Sequence, residues 1–587
     1  MRSFPCNLAR ILAGVAIYLI SPLCPLAQTA TAASSRPTPV APVGNPCSRF
    51  EAGSVIQQPP ALFSSNGVLS VNFTYQQTTD KEGRLLHCFM TDTGLEEPTF
   101  HVNPGDTLNI NVTNNTPPSP LGETYTAPNC GDTTVAFTGG ANGIATVGSS
   151  VNIHYHGTNV TPQCGGDNVT RTLINSGSTF QYSFTFPTDE PPGLYWYHPH
   201  VHGLAERDLL GGATGALVVD GIQNVQPAVQ GLPERILIIR DQPQLDGLAE
   251  GPGNCGNGVP FQDLSVNYVP IDSYLNKRDG TVTFVPATLN MEPGDTEFWR
   301  VTNSSADTIL DLQVIYDGVP QTLQVVGIDA VPVNSQDGTQ PGQLIPVTHF
   351  RLPPAARVEF LVTAPSPRVQ VAQLVTSNIN TGSQGDCDPT RPIFNIALSA
   401  GGGNEPAAVK DGRVGAFTGL NTHQRRFGGI GKTDPSTTRV FQFSENQPTQ
   451  FFITQVSAGQ LPTVFDNNNP PAVVTTQGSV EKWLVQNIAQ ENHEFHMHQV
   501  HFKVLSQDNF EINGTPQAPA INGQFLDMIE VPFWDNVANP NQSSAPQVEL
   551  LMDFRGMDVG DFVYHCHILS HEDLGMMAII QVNPKQN

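Results

Sequence analysis

"VNPGDTLNINVTNNT", residues 102–116, joins a glycine turn to a run in which apolar and polar residues alternate. Two related stretches follow, "MEPGDTEFWRVTNSS" at residues 291–305 and the weaker "TTQGSVEKWLVQNIA" at residues 475–489. Alternation with a period of two is typical of a β-strand with one buried face. The glycines Gly105, Gly294 and Gly478 recur at a spacing of about 185–190 residues, which indicates an internal repeat. The repeat predicts three consecutive β-sandwich domains.

The composition agrees with an all-β chain of several domains. Its 587 residues are too many for one hydrophobic core. The 53 Gly and 50 Pro, beside only 13% charged residues, favour short strands and turns over long helices. We place the domains at residues 47–223, 226–399 and 436–584, with a Gly-rich interdomain loop at 400–435. One short helix is predicted in "AERDLLGGA", which begins at Ala205.

The first 32 residues have the pattern of a secretory signal peptide. Basic residues precede an apolar run at residues 11–27, and Ala30-Thr31-Ala32 offers a small-residue cleavage site. Pro22 and Pro25 interrupt the run and argue against a membrane anchor. Residues 33–46, rich in Pro, Ser, Thr and Ala, are expected to form a flexible linker. The mature protein is therefore expected to be secreted or periplasmic, with no membrane segment after signal cleavage.

The cysteines outside the signal peptide predict disulfide bonds. Six of them form an even set, which permits three disulfides in an oxidising compartment. They are Cys47, Cys88, Cys130, Cys164, Cys255 and Cys387. Six cysteines allow fifteen pairings, so the sequence does not choose the partners. Cys566 is left over, as a functional thiolate would be.

Histidines are concentrated in four short clusters that hold 12 of the 16 in the chain. The clusters are HYHG (His154, His156), WYHPHVHG (His198, His200, His202), HEFHMHQVHF (His493, His496, His498, His501) and YHCHILSH (His565, His567, His571). Each contains H-x-H, and residues two apart in a strand point to the same face. A single H-x-H is common on a solvated strand. Four in a chain with so few other histidines indicate a metal centre.

The segment "YHCHILSHEDLGMM", residues 564–577, favours copper over zinc. Many imidazoles beside one thiolate suit copper or zinc. Cys566 is followed by His571 and then by Met576, and a distant histidine would complete a His₂Cys copper site with a weak axial thioether. A structural zinc site would need more cysteines or C-x-x-C spacing, and neither is present. Met577 fits the role of a core residue better than that of a ligand.

The four clusters, in this order and across three repeats, resemble those of the multicopper oxidases, the superfamily of laccases, bilirubin oxidase and ascorbate oxidase. The resemblance covers about Cys47 to Pro584 and implies three cupredoxin-like Greek-key β-sandwiches with four copper ions. It implies one type 1 copper held by His493, Cys566 and His571 with Met576 axial. It implies a type 2 copper held by His154 and His496. It also implies two type 3 coppers, held by His156, His198, His200, His498, His565 and His567.

Two ligand clusters lie in the first domain and two in the third, so the resemblance places the trinuclear centre between those domains. The second domain would act as a spacer. His202 and His501 are left without a ligand role. Glu494 stands where the commoner family form, HPxHLHGH, has proline. Two roles are open for this residue: it alters the choice of substrate, or it is a carboxylate exposed to solvent.

The resemblance implies oxidation of a reductant at the type 1 copper and four-electron reduction of O₂ to water at the trinuclear centre. Cys566 is bonded to His565 and His567 through the chain, which would connect the two centres. Oxygen reduction also needs protons, and Asp167 and Glu572 match the acids of the family. The alternative interpretations are that Asp167 is only a turn residue and that Glu572 is only a surface carboxylate.

Phenols or aromatic amines are the expected reductants, and oxidation of Fe(II), Cu(I) or Mn(II) is the alternative. The 9 Met are scattered, which argues against a cuprous oxidase with a Met-rich insertion. Iron or manganese would need carboxylates near the type 1 edge, and their positions cannot be read from the sequence. A copper-binding protein without turnover is disfavoured because the ligand set is complete. The net charge of −25 argues against nucleic-acid binding, and a monomer is expected.

Overall fold

A computed structural model describes most of the chain after the linker. The described residues are 46–118, 130, 147–244, 258–334, 342–399, 407–408, 426–512, 515–516, 519–536, 542–556 and 558–586. The predicted signal peptide at 1–32 and all of the predicted linker except Pro46 lie outside these residues. Within the described part, no helix combines the length and the apolar character needed to cross a membrane.

The described residues form six larger sheets in three pairs along the chain, which we call the first, second and third sandwich. The strands of the first sandwich are β1 Ala61–Phe63, β2 Val68–Thr79, β3 Leu85–Thr91, β4 Thr99–Val102, β5 Thr107–Asn114, β6 His154–His156, β7 Thr179–Thr185, β8 Gly193–His198 and β9 Gly215–Val219. They form sheets of order β1-β4-β9-β8-β6 and β3-β2-β5-β7. The predicted short helix is present as α1 Ala205–Leu210.

The second sandwich carries two larger sheets, of order β12-β11-β10-β16-β23-β19-β20 and β15-β25-β24-β17-β18, and one hairpin, β13-β14. Its strands are β10 Pro233–Pro243, β11 Gln262–Val266, β12 Val269–Ile271, β13 Ser273–Leu275, β14 Val282–Phe284, β15 Ala287–Met291, β16 Thr296–Asn303, β17 Leu310–Tyr316, β18 Val319–Pro320, β19 Leu323–Ile328, β20 Val331–Pro332, β21 Ile345–Val347, β22 Phe350–Leu352, β23 Arg357–Thr363, β24 Ala372–Thr376 and β25 Arg391–Leu398. A short strand, β26 Ala407–Ala408, lies in the predicted interdomain loop and pairs with β10.

The third sandwich has sheets of order β28-β27-β30-β37-β32-β35 and β29-β39-β38-β31-β36, with the hairpin β33-β34. Its strands are β27 Thr437–Asn446, β28 Gln450–Gln455, β29 Val473–Thr476, β30 Val480–Asn487, β31 His493–Met497, β32 Phe502–Asp508, β33 Glu511–Ile512, β34 Thr515–Pro516, β35 Phe525–Leu526, β36 Met528–Val531, β37 Gln547–Asp553, β38 Gly560–Cys566 and β39 Met577–Asn583. A second short helix, α2 Leu569–Asp573, joins β38 to β39. Short 3₁₀ turns lie at Ile222–Asn224, Pro227–Val229, Ile430–Lys432 and Val456–Ala458.

The three repeats occupy equivalent places in the three sandwiches. Each repeat glycine has a positive φ, between 87° and 97°, which permits the turn before the strand. The strands that follow are β5, β16 and β30, and each ends in a buried asparagine: Asn114, Asn303 or Asn487. In every case the asparagine Nδ2 donates to two main-chain carbonyls and Oδ1 accepts from the main-chain amide two residues later. The sequence repeat is therefore a repeated strand-end anchor.

The described cores and disulfides agree with the sequence expectations in outline. One apolar cluster of the first sandwich draws residues from both of its sheets, including Phe73 and Tyr197. Disulfides join Cys47 to Cys88 and Cys130 to Cys164, and Cys387 is also disulfide-bonded. Cys255 lies outside the described residues. Cys566 is a free, buried thiol, as its odd place in the cysteine count suggested.

Candidate metal centre

Three side chains of the third sandwich converge in what we call the thiolate pocket: His493, Cys566 and His571. His493 opens β31, Cys566 ends β38 and His571 lies in α2. The two Nδ1 atoms are 3.1 Å apart, and the Cys566 Sγ lies 3.8 Å from each. These separations suit a His₂Cys set around one copper ion. The predicted axial residue, Met576, is buried, and its carbonyl accepts the amide of Cys566 at 3.0 Å.

Burial shapes the protonation of the thiolate pocket. It raises the pKa of the Cys566 thiol well above its ordinary value, with the Glu494 carboxylate as the next cause. It lowers the pKa of His571 to about 4 and that of His493 well below its usual range. Both imidazoles are thus neutral ligands. A metal cation in the pocket would favour the thiolate form of Cys566.

Eight further imidazoles line a second buried site, which we call the histidine cavity. Its members are His154, His156, His198, His200, His496, His498, His565 and His567. His565 Nε2 lies 3.1 Å from the Nε2 atoms of both His200 and His498. Other groups of three, such as His154 with His156 and His198, also present nitrogens within 4.8 Å of one another. The groups overlap, so the rings share one cavity, and their division between type 2 and type 3 copper remains a prediction.

Main-chain carbonyls orient several rings of the histidine cavity. The outward Nδ1 atoms of His198, His496 and His565 each lie 2.8 Å from a carbonyl oxygen. These contacts fix the tautomer and turn Nε2 into the cavity. His154 is oriented by a carboxylate instead, since its Nδ1 lies 2.8 Å from an oxygen of Asp167. The sequence-predicted acid Asp167 is therefore a buried partner of a cavity histidine.

Several ring nitrogens of the cavity have no hydrogen-bond partner among the described residues. They include Nε2 of His154, His156, His198 and His496, and both ring nitrogens of His567. Buried polar atoms are normally satisfied, so a converging set of free imidazole nitrogens indicates a metal site. Burial, as the largest cause, and neighbouring imidazoles lower the pKa of seven of the eight rings well below the usual range. Neutral imidazoles in this number fit copper ions.

Carboxylates lie on the outer side of the thiolate pocket, in what we call the carboxylate edge: Glu445, Gln447 and Glu491. Glu445 Oε2 is 3.8 Å from His493 Nε2, and Glu491 Oε1 is 3.5 Å from His571 Nε2. The Gln447 amide donates to both carboxylates. Burial, followed by the neighbouring Glu491, raises the pKa of Glu445 to about 8, and burial raises that of Glu491 to about 7. His571 is the more accessible imidazole, at 7% exposure against 0% for His493.

Glu572 lies inside the protein and not on its surface. It is fully buried, and burial raises its pKa to about 8. Its Oε1 is 3.4 Å from Nδ1 of His202, which is half-buried. The next residue, Asp573, accepts the main-chain amides of Gly203 and Glu206. The α2 segment is thus fastened to the first sandwich beside the loop that carries His200.

The structure corrects one sequence expectation and supplies residues that the sequence did not reveal. Glu494 is not a solvated carboxylate: it is completely buried, and neither of its oxygens has a hydrogen-bond partner in the part of the chain that the structure describes. Asp527 and Arg357 lie beside the histidine cavity, and Gln499 donates to Asp167. Asp527 follows the apolar pair Phe525-Leu526 and precedes Met528-Ile529, so a charged residue among apolar ones was the signal that the sequence offered. His501, which no pattern assigned to a metal, is buried with Nε2 3.0 Å from the Asp329 carbonyl.

Comparison with known proteins agrees with this geometry. Residues 142–224 and 432–586 match two family models, each described as multicopper oxidase. The chain is 22% identical over 485 residues to Multicopper oxidase LPR1 homolog 5 of Oryza sativa subsp. japonica, covering 74% of this chain and 68% of that protein. It is 22% identical over 413 residues to a laccase of Bacillus subtilis, covering 68% and 72%.

A solved structure confirms the predicted fold of cupredoxin-like β-sandwiches. A variant of the McoA multicopper oxidase from Aquifex aeolicus superposes with a TM-score of 0.63 at 19% identity, covering 91% of this chain and all of the other.

Proposed function

Because this chain belongs to the multicopper oxidase family, we propose that it takes single electrons from a small reductant and passes four of them to O₂, forming two waters. We assign it four copper ions, one in the thiolate pocket and three in the histidine cavity. Bound copper supplies the one-electron redox chemistry and the reduction of O₂. The observation that carries this proposal is the position of Cys566. Its Sγ faces the pocket, while the rings of its chain neighbours His565 and His567 belong to the cavity.

The reductant is expected to reach the protein at His571. That side chain is the more accessible of the two pocket imidazoles, and its ring stacks on Phe451 at 4.3 Å between centroids. His493 is completely covered. We assign electron entry to the His571 edge, because it is the more accessible of the two imidazoles.

The carboxylate edge favours a metal cation as the electron donor. Glu445 and Glu491 stand beside the outer nitrogens of the two pocket imidazoles, and Gln447 joins them. Carboxylate and amide oxygens are suitable ligands for a hard divalent cation. Fe(II) or Mn(II) bound there would lie next to the electron-accepting imidazole. This moves metal-ion oxidation ahead of the phenols and aromatic amines that the sequence favoured.

Oxidation of phenols or aromatic amines stays as the second candidate. Leu574, three residues beyond His571, is 41% exposed, and Leu461 is 79% exposed. Apolar side chains on the loops of the third sandwich are compatible with contacts to an organic ring.

The two candidates are separable by oxygen consumption of the copper-loaded protein with a methoxyphenol, an aromatic diamine, Fe(II), Cu(I) and Mn(II). We expect the Glu445→Gln/Glu491→Gln double variant to raise the KM for Fe(II) or Mn(II) by about tenfold or more, because carboxylate oxygens that would contact the cation are replaced by neutral amides. Its turnover of the phenol should change little. Glu549→Gln, which removes a partly exposed carboxylate paired with Lys482, is the matched control. Turnover of the phenol without turnover of any metal ion would reverse the order of the candidates.

Glu572 and Asp167 are proposed to manage the protons that oxygen reduction consumes. A buried carboxyl that is protonated near neutral pH is suited to donate a proton, and this supports Glu572. Asp167 also holds His154 through Nδ1, which supports a positioning role beside any role in proton delivery.

An oxidising compartment is proposed for the mature protein, either outside the cell or in the periplasm. The disulfides Cys47–Cys88 and Cys130–Cys164 support this, since such bonds persist mainly outside the cytosol. A monomer is proposed as the working unit, with both copper-binding regions formed within one chain.

A further inference from the structure

An ion pair outside the predicted ligand set lies behind the histidine cavity. Arg357 opens β23 of the second sandwich, and Asp527 lies between β35 and β36 of the third. The guanidinium donates from Nη1 to Asp527 Oδ1 at 2.7 Å and from Nη2 to Oδ2 at 2.5 Å. Both residues are buried, with exposures of 0% and 1%. Two parallel hydrogen bonds fix both the distance and the orientation of the pair.

Both members of the pair touch cavity histidines. Arg357 Nη1 is 3.3 Å from His156 Nδ1. The main-chain carbonyl of Asp527 is 2.8 Å from His496 Nδ1, and its carboxylate is 3.8 Å from the Nδ1 atoms of both histidines. All these contacts are made on the Nδ1 side of the rings. Among the described residues the Nε2 atoms of both histidines have no hydrogen-bond partner, and Asp527 lies on the opposite, Nδ1 side of the rings.

The pair connects all three sandwiches at this point. Arg357 Nε donates to the carbonyl of Leu194 in β8 of the first sandwich at 3.2 Å. The Arg357 amide donates to Asp329 Oδ1, and Asp329 Oδ2 accepts the amide of Asp527. His156 and His496 come from different sandwiches, yet their rings stack with centroids 4.0 Å apart. The ion pair is the common support behind both rings.

Gly157, the residue after His156, packs closely against the Arg357–Asp527 pair. Gly157 has φ +81°, and a Cβ atom there would lie 2.3 Å from Arg357 Nη2 and 2.5 Å from Asp527 Oδ2. A side chain at this position would displace the guanidinium. The glycine of the HYHG cluster is therefore explained by the ion pair, and not by the histidines alone.

We propose that Arg357 and Asp527 are positioning residues for the histidine cavity, through which the second sandwich sets the relative placement of His156 and His496. The second sandwich is then more than a spacer, because it contributes a guanidinium to the cavity although it supplies no metal ligand. The inference rests on the proposed copper chemistry of the cavity. Partners behind metal-binding histidines fix ring orientation, and their loss typically weakens metal binding by about 10–100-fold.

The test compares copper binding at the two sites in the full-length, copper-loaded protein. Arg357→Gln should weaken copper binding in the histidine cavity by about 10–100-fold, measured by dialysis against a chelator of known affinity. The hyperfine splitting of the type 2 electron paramagnetic resonance signal should change. The visible absorption and the reduction potential of the thiolate pocket should not change. Arg357→Lys should give a smaller loss, because lysine keeps the charge but not the paired hydrogen bonds.

Arg300→Gln is the matched control. Arg300 is a buried arginine of β16 in the same sandwich, and its guanidinium lies beside Glu234 and Glu359 instead of a cavity histidine. It should lower thermal stability without changing either copper signal. If Arg357→Gln does not fold, Asp527→Asn tests the same point, since the main-chain contact to His496 is retained.

Two results would overturn the inference: equal loss of copper from both sites in the Arg357 and Asp527 variants, or no change at either site. Loss of cavity copper in Arg300→Gln would also overturn it, because any buried ion pair would then have the same effect. Failure of the proposed function is distinguishable from this, since the unaltered protein would then bind no copper in the cavity.

Discussion

The thiolate pocket and the histidine cavity use the same side-chain chemistry but are built in different ways. The three pocket residues all come from the third sandwich and present Nδ1 and Sγ to one point. The eight cavity rings come equally from the first and third sandwiches, and those with anchored Nδ1 atoms present Nε2 inward. Carboxylates face the outer nitrogens of the pocket, while main-chain carbonyls, Asp167 and the Arg357–Asp527 pair hold cavity rings. The pocket is local and near the surface, whereas the cavity depends on how the sandwiches dock.

Removing the thiolate should produce the largest difference in copper content between the thiolate pocket and the histidine cavity. Cys566→Ser replaces the sulfur ligand with a hydroxyl that stays protonated, so the pocket should lose its copper and its visible absorption. Turnover should fall by more than about 100-fold, since changes one shell further out already cost about 10–100-fold. Cavity copper should remain, and metal analysis should find one copper fewer per chain. Loss of all copper would show that the two sites assemble together; Met577→Leu, a nearby core change, is the control.

Glu572→Gln should affect the cavity chemistry and spare the pocket. The amide cannot donate a proton as an acid does, so steady-state oxygen consumption should slow by about 100-fold, the lower end of the range for general acid catalysis. Reduction of the pocket by substrate without oxygen, followed by stopped-flow absorbance, should keep its rate. Unchanged oxygen consumption would remove Glu572 from the proton-delivery role.

Asp167→Asn should loosen one cavity ring. The amide keeps the shape of the carboxylate but binds the His154 Nδ1 hydrogen less strongly, so cavity copper affinity should fall by about 10–100-fold. The absorption of the thiolate pocket should stay the same. If the pocket absorption fell as well, the thiolate pocket would also depend on the docking of the first sandwich. It would then not be formed by the third sandwich alone.

Met576→Leu should have the smallest effect and should be confined to the pocket. Loss of the axial thioether should raise the reduction potential there, because the sulfur stabilises the oxidised metal. A rise of about 59 mV would correspond to a tenfold change in the electron-transfer equilibrium. A redox titration checks the shift, and an unchanged potential would count against Met576 as the axial residue.

The histidine spacing predicted that the two rings of one motif reach the same site, because residues two apart in an extended segment point to the same side. His154 and His156 both contribute rings to the cavity from β6, the strand that this motif forms. The carboxylate edge could not be predicted in the same way. Glu445 comes from β27 and Glu491 from the segment between β30 and β31, and only the packing of the third sandwich brings them together. The sequence missed these contacts because the residues are far apart in the chain and meet only in the folded protein, and not because their chemistry is unusual.

By itself the sequence predicted the all-β fold, the threefold repeat and the set of histidines and the cysteine that are proposed to bind copper. These follow from local periodicity, glycine turns and short-range spacing, which are properties of neighbouring residues. Tertiary structure alone decided the burial of Glu494 and Glu572, the carboxylates beside His571, and the reach of Arg357 into the cavity. Each of these depends on contacts between residues far apart in the chain. Burial and long-range contact arise only when the sandwiches pack, and no local pattern encodes them.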